Sequence, residues 1–184
     1  ENKTIKSRDS EYEYDKLLLA NGSHCFVPPF SGLDLENIFT LRTIDDLKEI
    51  NSAAKKAEKA VVVGGGLLGL EMAYNFNKAG VETTVLEVAP YLLPMQLDKK
   101  SGDLLEKKLE KNNIRVITDA STKGFSGQQK VEKVLLENKE IEADLVLIST
   151  GIRSNTSLTE ETEIAVNKGV KINDKMETSV EDIY

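Results

Sequence analysis

The sequence contains no tryptophan, one cysteine, one histidine and four prolines among its 184 residues. A lone cysteine, Cys25, cannot form an internal disulfide, and no Cys-x-x-Cys or Cys/His cluster provides the ligand spacing of a zinc site. These absences exclude a disulfide-stapled scaffold. They predict a chain without a structural metal that works in a reducing compartment, and we expect the cytoplasm.

Long hydrophobic runs are also missing. The longest apolar stretches, such as residues 144–150, fall far short of the ~20 residues that a membrane span needs, and no signal-peptide pattern opens the chain. Acidic residues outnumber basic ones, 31 to 24, which gives a net charge of −7. This balance disfavours nucleic acid and anionic lipid as partners. With 40% hydrophobic residues, the composition is that of a globular protein.

Hydrophobic spacing predicts alternating strands and helices. The β-branched run at 60–63 is typical of a parallel strand covered on both faces. Helices are expected at 44–60, with Thr43 or Asp45 as N-cap, at 67–79 and at 97–112. Further strands are expected at 12–20, 81–87, 114–118 and 144–149, a hairpin at 131–141, and short β-rich stretches at 166–172 and 178–183. We therefore predict an α/β fold, a doubly wound, Rossmann-like parallel sheet with an antiparallel hairpin attached.

A glycine motif lies where the first β-branched strand ends and a helix begins. Gly64, Gly66 and Gly69 form G-x-G-x-x-G. Gly64 permits a tight turn, Gly66 lets a pyrophosphate approach the backbone, and Gly69 lets the helix pack closely against the strand. The phosphates would bind the unpaired N–H groups at the start of the helix. Three glycines at this spacing also occur in flexible loops, but the flanking strands and helix favour a dinucleotide site.

An acidic residue follows at the expected distance. Glu87 ends the second strand, 18 residues beyond Gly69. A carboxylate there can accept hydrogen bonds from the adenosine ribose hydroxyls and would repel a 2′-phosphate. No arginine follows in the next three residues, so we expect NAD(H) to be preferred over NADP(H). The alternative interpretation of Glu87 is a solvated charge at a strand end.

Four segments in order resemble motifs of the pyridine-nucleotide flavoprotein oxidoreductases related to glutathione reductase. These segments are YDKLLLANGS at 14–23, GGGLLGLE at 64–71, STGIRSN at 149–155 and TSVEDIY at 178–184. The run LLPMQLD at 92–98 is most similar to the branch that contains NADH-dependent nitrite reductase large subunits, NADH:rubredoxin reductases and NADH oxidases.

This resemblance implies an FAD domain with an inserted NAD(H) domain, in which hydride passes from NADH to flavin and then to an acceptor domain or carrier. It implies an NAD(H) domain at 35–155 between truncated pieces of the FAD domain at 1–34 and 156–184. Glu71 matches a carboxylate that lies beside the nicotinamide, and it is the one catalytic candidate; a structural salt bridge is the alternative. The residues implied to hold NAD(H) are Gly64, Gly65, Gly66, Leu67, Leu68, Gly69 and Glu87, with Gly151 on the opposite strand.

The chain also departs from the family pattern. The flavin-binding G-x-G-x-x-G and the closing motif that meets the flavin are not among these 184 residues, so we expect this chain to retain no FAD and to be inactive alone. Asn21 and Ser154 replace the usual threonine and proline. Cys25 and His24 lie outside any redox motif and are interpreted as structural. The lysine-rich face of the helix at 97–112 is interpreted as a solvated surface.

Three other functions stay open at this point. The chain could be an autonomous NAD-binding or redox-sensing module. It could belong to a dehydrogenase that passes hydride directly to an organic substrate, which requires a proton-transfer residue near the nicotinamide. It could also belong to the thiol-disulfide branch, for which a cysteine pair outside this sequence would decide.

Overall fold

The computed structural model describes residues 3–184, which form two compact units, Cys25–Gly151 and residues 3–24 with Ile152–Tyr184. No helix in this described part is long and apolar enough to cross a membrane. The elements in chain order are β1 (Thr4–Ser7), β2 (Ser10–Glu13), β3 (Ser23–Cys25), β4 (Ile38–Phe39), α1 (Ile44–Ala54), β5 (Lys59–Val63), α2 (Leu67–Lys78), β6 (Glu82–Leu86), α3 (Lys99–Glu110), β7 (Ile114–Ile117), β8 (Thr122–Ser126), β9 (Lys133–Leu136), β10 (Glu140–Glu142), β11 (Leu145–Ile148), β12 (Ile152–Ser154) and a 3₁₀ turn at Ser157–Thr159.

The unit Cys25–Gly151 is built on a five-stranded parallel sheet. Its strand order is β4-β11-β5-β6-β7. The chain moves outward from β5 through α2 to β6 and through α3 to β7, and it later returns to β11 on the other side of β5. The strand order therefore reverses between β5 and β11, which is the switch point of a Rossmann-type sheet. The predicted α/β fold with a parallel sheet is confirmed.

Side chains along the buried strands alternate between two hydrophobic cores. In β5, Ala60 and Val62 face a core shared with the three helices, whereas Val61 and Val63 face the other. The second core is covered by an antiparallel sheet of order β10-β9-β8. Its β9 and β10 are the predicted hairpin, and the sequence analysis missed β8. This small sheet occupies the place that a second layer of helices has in a doubly wound protein.

Helix α1 begins at the predicted residue but ends at Ala54, not at residue 60. Thr43 is the N-cap: its Oγ1 accepts the N–H of Asp46 at 3.2 Å, and the Asp46 carboxylate accepts the N–H of Thr43 at 2.7 Å. A tertiary contact follows between the helix end and the next strand. One carboxylate oxygen of Asp144 accepts the N–H groups of Glu58 and Lys59 at 2.9 Å each, which holds the chain for entry into β5.

The capping interaction of Asp46 makes stability depend on pH. Hydrogen bonds from the N–H groups of Thr43 and Arg42 hold the pKa of Asp46 below its ordinary value. The carboxylate therefore stabilises the folded state above the pKa of the unfolded chain, and the contribution disappears as the pH falls through the lowered folded pKa. We expect Asp46→Asn to be less stable than the unmodified protein at neutral pH, with the difference vanishing in acid.

Urea unfolding at a series of pH values measures this effect. Asp45→Asn is the matched control, because Asp45 lies in the same helical turn but pairs with Lys48 at the surface. If Asp46→Asn lowered the free energy of unfolding by the same amount as the control at every pH, the capping role would be contradicted.

The unit formed by residues 3–24 and Ile152–Tyr184 contains less regular structure than its sequence predicts. It holds the hairpin β1–β2 and the two-stranded pair of β3 and β12. The predicted strand at 12–20 is wrong beyond Glu13, and that at 178–183 is reduced to one parallel bridge between Leu17 and Ile183. The stretch at 166–172 likewise forms a single bridge. In the described residues these apolar segments lack a partner strand long enough to extend the pairing.

Candidate functional site

The glycine turn lies at the carboxyl end of β5, beside the switch point of the sheet. Gly64 has a φ of +119°, which L side chains rarely adopt, and its N–H donates to the carbonyl of Leu86 at 2.8 Å. A Cβ at Gly64 would collide with the carbonyl oxygen of Ser149, which follows β11. The ends of β5 and β11 are thus so close that only glycine fits between them.

Gly69 is fixed by helix packing. A Cβ at this position would collide with the carbonyl oxygen of Gly64 and lie 3.3 Å from Val62 Cγ1. Gly69 therefore brings the first turn of α2 down onto β5 and points the amino end of the helix at the crevice beyond the strands.

Gly66 differs from both of these glycines. It is the N-cap of α2, with φ −80° and ψ 176°, a conformation open to any residue. No atom lies within 4 Å of the position its Cβ would take, and the cap has no side-chain hydrogen bond and no acidic residue in the first turn. No side chain therefore caps the first turn of α2; the Glu87 carboxylate binds the N–H of Gly65, one residue before the cap, and no packing contact among the described residues requires glycine at position 66.

Glu87 lies directly after β6 and reaches across to the glycine turn. Its side chain is buried, with 8% of the residue exposed. Oε2 accepts the N–H of Gly65 at 2.7 Å, and Oε1 accepts the N–H of Ala89 at 2.8 Å. The structure thus brings Glu87 together with Gly64, Gly65 and Gly66, and it excludes the alternative of a solvated charge at a strand end.

Gly151 lies beyond the carboxyl end of β11, the strand next to β5. It follows β11 with a φ of +103°, and no atom lies within 4 Å of its Cβ position. Its carbonyl accepts the N–H of Phe26 at 2.9 Å. Because β11 is the direct neighbour of β5, the loop at Gly151 and the glycine turn lie at the same edge of the sheet.

Comparison with known proteins identifies the family of this chain. Residues 1–184 match the family model described as pyridine nucleotide-disulphide oxidoreductase. The chain belongs to this family. The resemblance inferred from the four sequence segments is thereby confirmed.

Several members of the pyridine nucleotide-disulphide oxidoreductases are similar along the whole chain. A nitrite reductase [NAD(P)H] of Bacillus subtilis is 40% identical, over 100% of this chain and 23% of that protein. An NADH oxidase of Methanocaldococcus jannaschii is 36% identical, over 99% of this chain and 42% of that protein. The structure of an NAD-dependent persulfide reductase from A. fulgidus superposes with a TM-score of 0.93 at 31% identity, covering 100% of this chain and 35% of that one. The chain spans less than half the length of these relatives.

Glu71 takes no part in the hydrogen bonds that join Glu87 to the glycine turn. It lies in the second turn of α2 and is exposed. Its backbone carbonyl accepts the side-chain N–H of Asn75 at 2.9 Å. Within residues 3–184 its carboxylate takes part in no ion pair, so the alternative of a structural salt bridge finds no partner there.

The loop after Glu87 contributes residues that sequence reasoning missed. The N–H of Leu93 donates to the carbonyl of Gly65 at 3.3 Å, and a Cβ on Gly65 would lie 2.6 Å from Leu92 Cδ2. Leu93 has a φ of +54°. Leucine carries no signal for that backbone conformation, so residue type could not have indicated this contact.

His24 and Cys25 both make local contacts. His24 Nδ1 hydrogen-bonds Asn155 Oδ1 at 2.7 Å. Cys25 Sγ donates to the carbonyl of Leu41 at 3.5 Å. In the part of the chain that the structure describes, no three His, Cys, Asp or Glu side chains form a group able to hold a metal ion.

A second concave region lies at the opposite edge of the parallel sheet, at the amino ends of β4, β5 and β11. This groove is lined by charges of both signs, including Glu49, Lys56, Lys130 and Asp144. The carboxyl end of α1 contributes Ala53 to its wall, and the negative end of a helix dipole disfavours phosphate. The glycine turn is the better candidate for an anionic ligand.

Proposed function

We propose that the unit Cys25–Gly151 binds NAD(H) at the carboxyl ends of β5, β6 and β11. The observation that carries this proposal is Gly66, a glycine that the fold does not need, at the uncapped positive end of α2. A pyrophosphate bound to the N–H groups of the first helical turn explains why glycine occupies this position, because a Cβ would clash with the phosphates.

The remaining residues have roles consistent with this placement. Leu67 and Leu68 are 65% and 42% exposed in the first turn of α2, where their N–H groups can bind the phosphates. Gly64 and Gly69 set the turn and the helix position, and Gly151 leaves the facing side of the crevice open to the nucleotide. A ligand at this place fits the rule that open α/β sheets bind at the carboxyl ends of strands beside the switch point.

Glu87 is proposed to select NAD(H) over NADP(H). Each of its carboxylate oxygens accepts one backbone N–H and keeps capacity for a further hydrogen bond from a ribose hydroxyl. Its negative charge, held beside that ribose, opposes a 2′-phosphate. Val88, which follows Glu87 and is 70% exposed, offers no positive charge to offset this repulsion.

We further propose that the full-length protein is an FAD-dependent NADH oxidoreductase, as the names of its relatives suggest. The nicotinamide supplies a hydride, and this chain orients the dinucleotide that carries it. Residues 3–184 contain no second G-x-G-x-x-G, so we assign the flavin no site in this chain. Glu71 is proposed to position the nicotinamide. The acceptor is proposed to be another domain or a carrier protein, with nitrite reduction favoured by the similarity to the Bacillus subtilis protein.

Calorimetric titration of the chain with NADH and with NADPH tests the nucleotide proposal. We expect NADH to bind at least about ten-fold more tightly, the size of a single unfavourable charge contact in a partly buried site. Equal affinities would remove Glu87 from its selective role, and no binding of either nucleotide would contradict the site itself.

A further inference from the structure

Gly65, the middle residue of the glycine turn, has both backbone polar atoms held by the segment after β6. Its N–H is bound by the Glu87 carboxylate and its carbonyl by the N–H of Leu93. The same carboxylate binds Ala89 with its other oxygen. Glu87 therefore joins the turn after β5 to the loop after β6.

These contacts fix the direction of groups that face the proposed phosphate site. The carbonyl of Gly65 and the N–H of Gly66 belong to one planar peptide, so holding that carbonyl also sets where the N–H of Gly66 points. The N–H of Gly65 belongs to the preceding peptide, which is held by a charge-assisted bond to Glu87. Two consecutive peptide planes of the turn are thus held in orientation by Glu87 and Leu93, which follow β6.

The packing around Gly65 leaves little room for the turn to shift. A Cβ there would lie 2.6 Å from Leu92 Cδ2 and 2.9 Å from Glu87 Oε2. Leu92 itself is 0% exposed. Because the loop fits this closely, an amide in place of the carboxylate turns an NH2 group toward one of the two N–H groups that Glu87 binds, and its remaining oxygen binds the other without the negative charge.

We propose that Glu87 is a positioning residue for the phosphate-binding turn in addition to its contact with ribose. This inference rests on the proposed NAD(H) site. The two roles predict different results. If Glu87 acts only by repelling the 2′-phosphate, removing its charge improves NADPH binding. If Glu87 also orients the turn, removing its charge weakens the binding of both nucleotides.

Glu87→Gln in the full chain distinguishes these roles. We expect the affinity for NADH to fall about ten-fold or more, the size of one charge-assisted hydrogen bond, and the affinity for NADPH not to rise. The substitution should lower the affinity for ADP more than the affinity for adenosine, which lacks phosphates. General destabilisation of the fold would lower both affinities by the same factor. Without nucleotide, amide hydrogen exchange at residues 64–66 should become faster.

Glu82→Gln is the matched control, because Glu82 is an exposed acid at the start of the same strand. It should change neither affinity nor exchange. A rise in NADPH affinity with unchanged exchange at residues 64–66 would overturn the positioning role and leave the nucleotide site in place. The unmodified chain is titrated first, so a failure of the NAD(H) proposal is recognised separately as absence of NADH binding.

Discussion

Gly66→Ser is expected to abolish tight NADH binding while leaving the fold as stable as before or slightly more stable. Serine is a favoured N-cap residue, and its hydroxyl can accept one of the first-turn N–H groups of α2. The backbone of Gly66 already has the extended conformation of a cap, and the space for a side chain is empty. The same hydroxyl would occupy the place and the donors that the pyrophosphate needs.

The expected loss in affinity is at least about 100-fold, because two or more hydrogen bonds to a charged group are removed at about 1.5–3 kcal/mol each. Calorimetry with NADH and urea unfolding without nucleotide measure the two effects on one protein. Asp98→Ser, which exchanges one good cap for another at α3, is the control and should leave binding unchanged. Undiminished NADH affinity in Gly66→Ser would place the pyrophosphate elsewhere.

The centre of the sheet could be predicted from the sequence because its signals are local and agree with one another. The β-branched run of β5 occurs where a strand must be buried on both faces, and the observed alternation of Val61 and Val62 between two cores shows why polar residues are missing there. Gly64 and Gly69 are glycines for reasons of backbone and packing, and Glu87 follows at the spacing that a βαβ unit imposes.

The parts that could not be predicted depend on distant residues. The entry into β5 is held by Asp144, far along the chain, whose carboxylate binds the amides of Glu58 and Lys59. The hydrogen bond from the loop after β6 to the carbonyl of Gly65 depends on Leu93, whose positive φ is not indicated by its residue type. The apolar segment at 12–20 carries a strand signal, yet pairing also requires a partner: Tyr12 and Glu13 pair with β1, and beyond them in this segment only Leu17 forms a bridge among the described residues.

Gly69→Val is expected to have the opposite signature to Gly66→Ser: both stability and binding should fall. A side chain at Gly69 meets the carbonyl of Gly64 and the side chain of Val62, and Val62 belongs to the buried core. Backbone cannot yield as a flexible side chain can, so α2 must move away from β5. Overpacking of this kind costs about 1–3 kcal/mol and occasionally more.

Moving α2 also withdraws its amino end from the crevice, so NADH affinity should fall together with the free energy of unfolding. Asn75→Val is the control, because it places the same side chain on the exposed face of the same helix at nearly equal helix propensity. If Gly69→Val unfolded at the same urea concentration as this control, the close approach of α2 to β5 would not be what requires glycine there. The pair of glycine variants thus separates a residue kept for the fold from one kept for the ligand, since only Gly66→Ser should lose binding without losing stability.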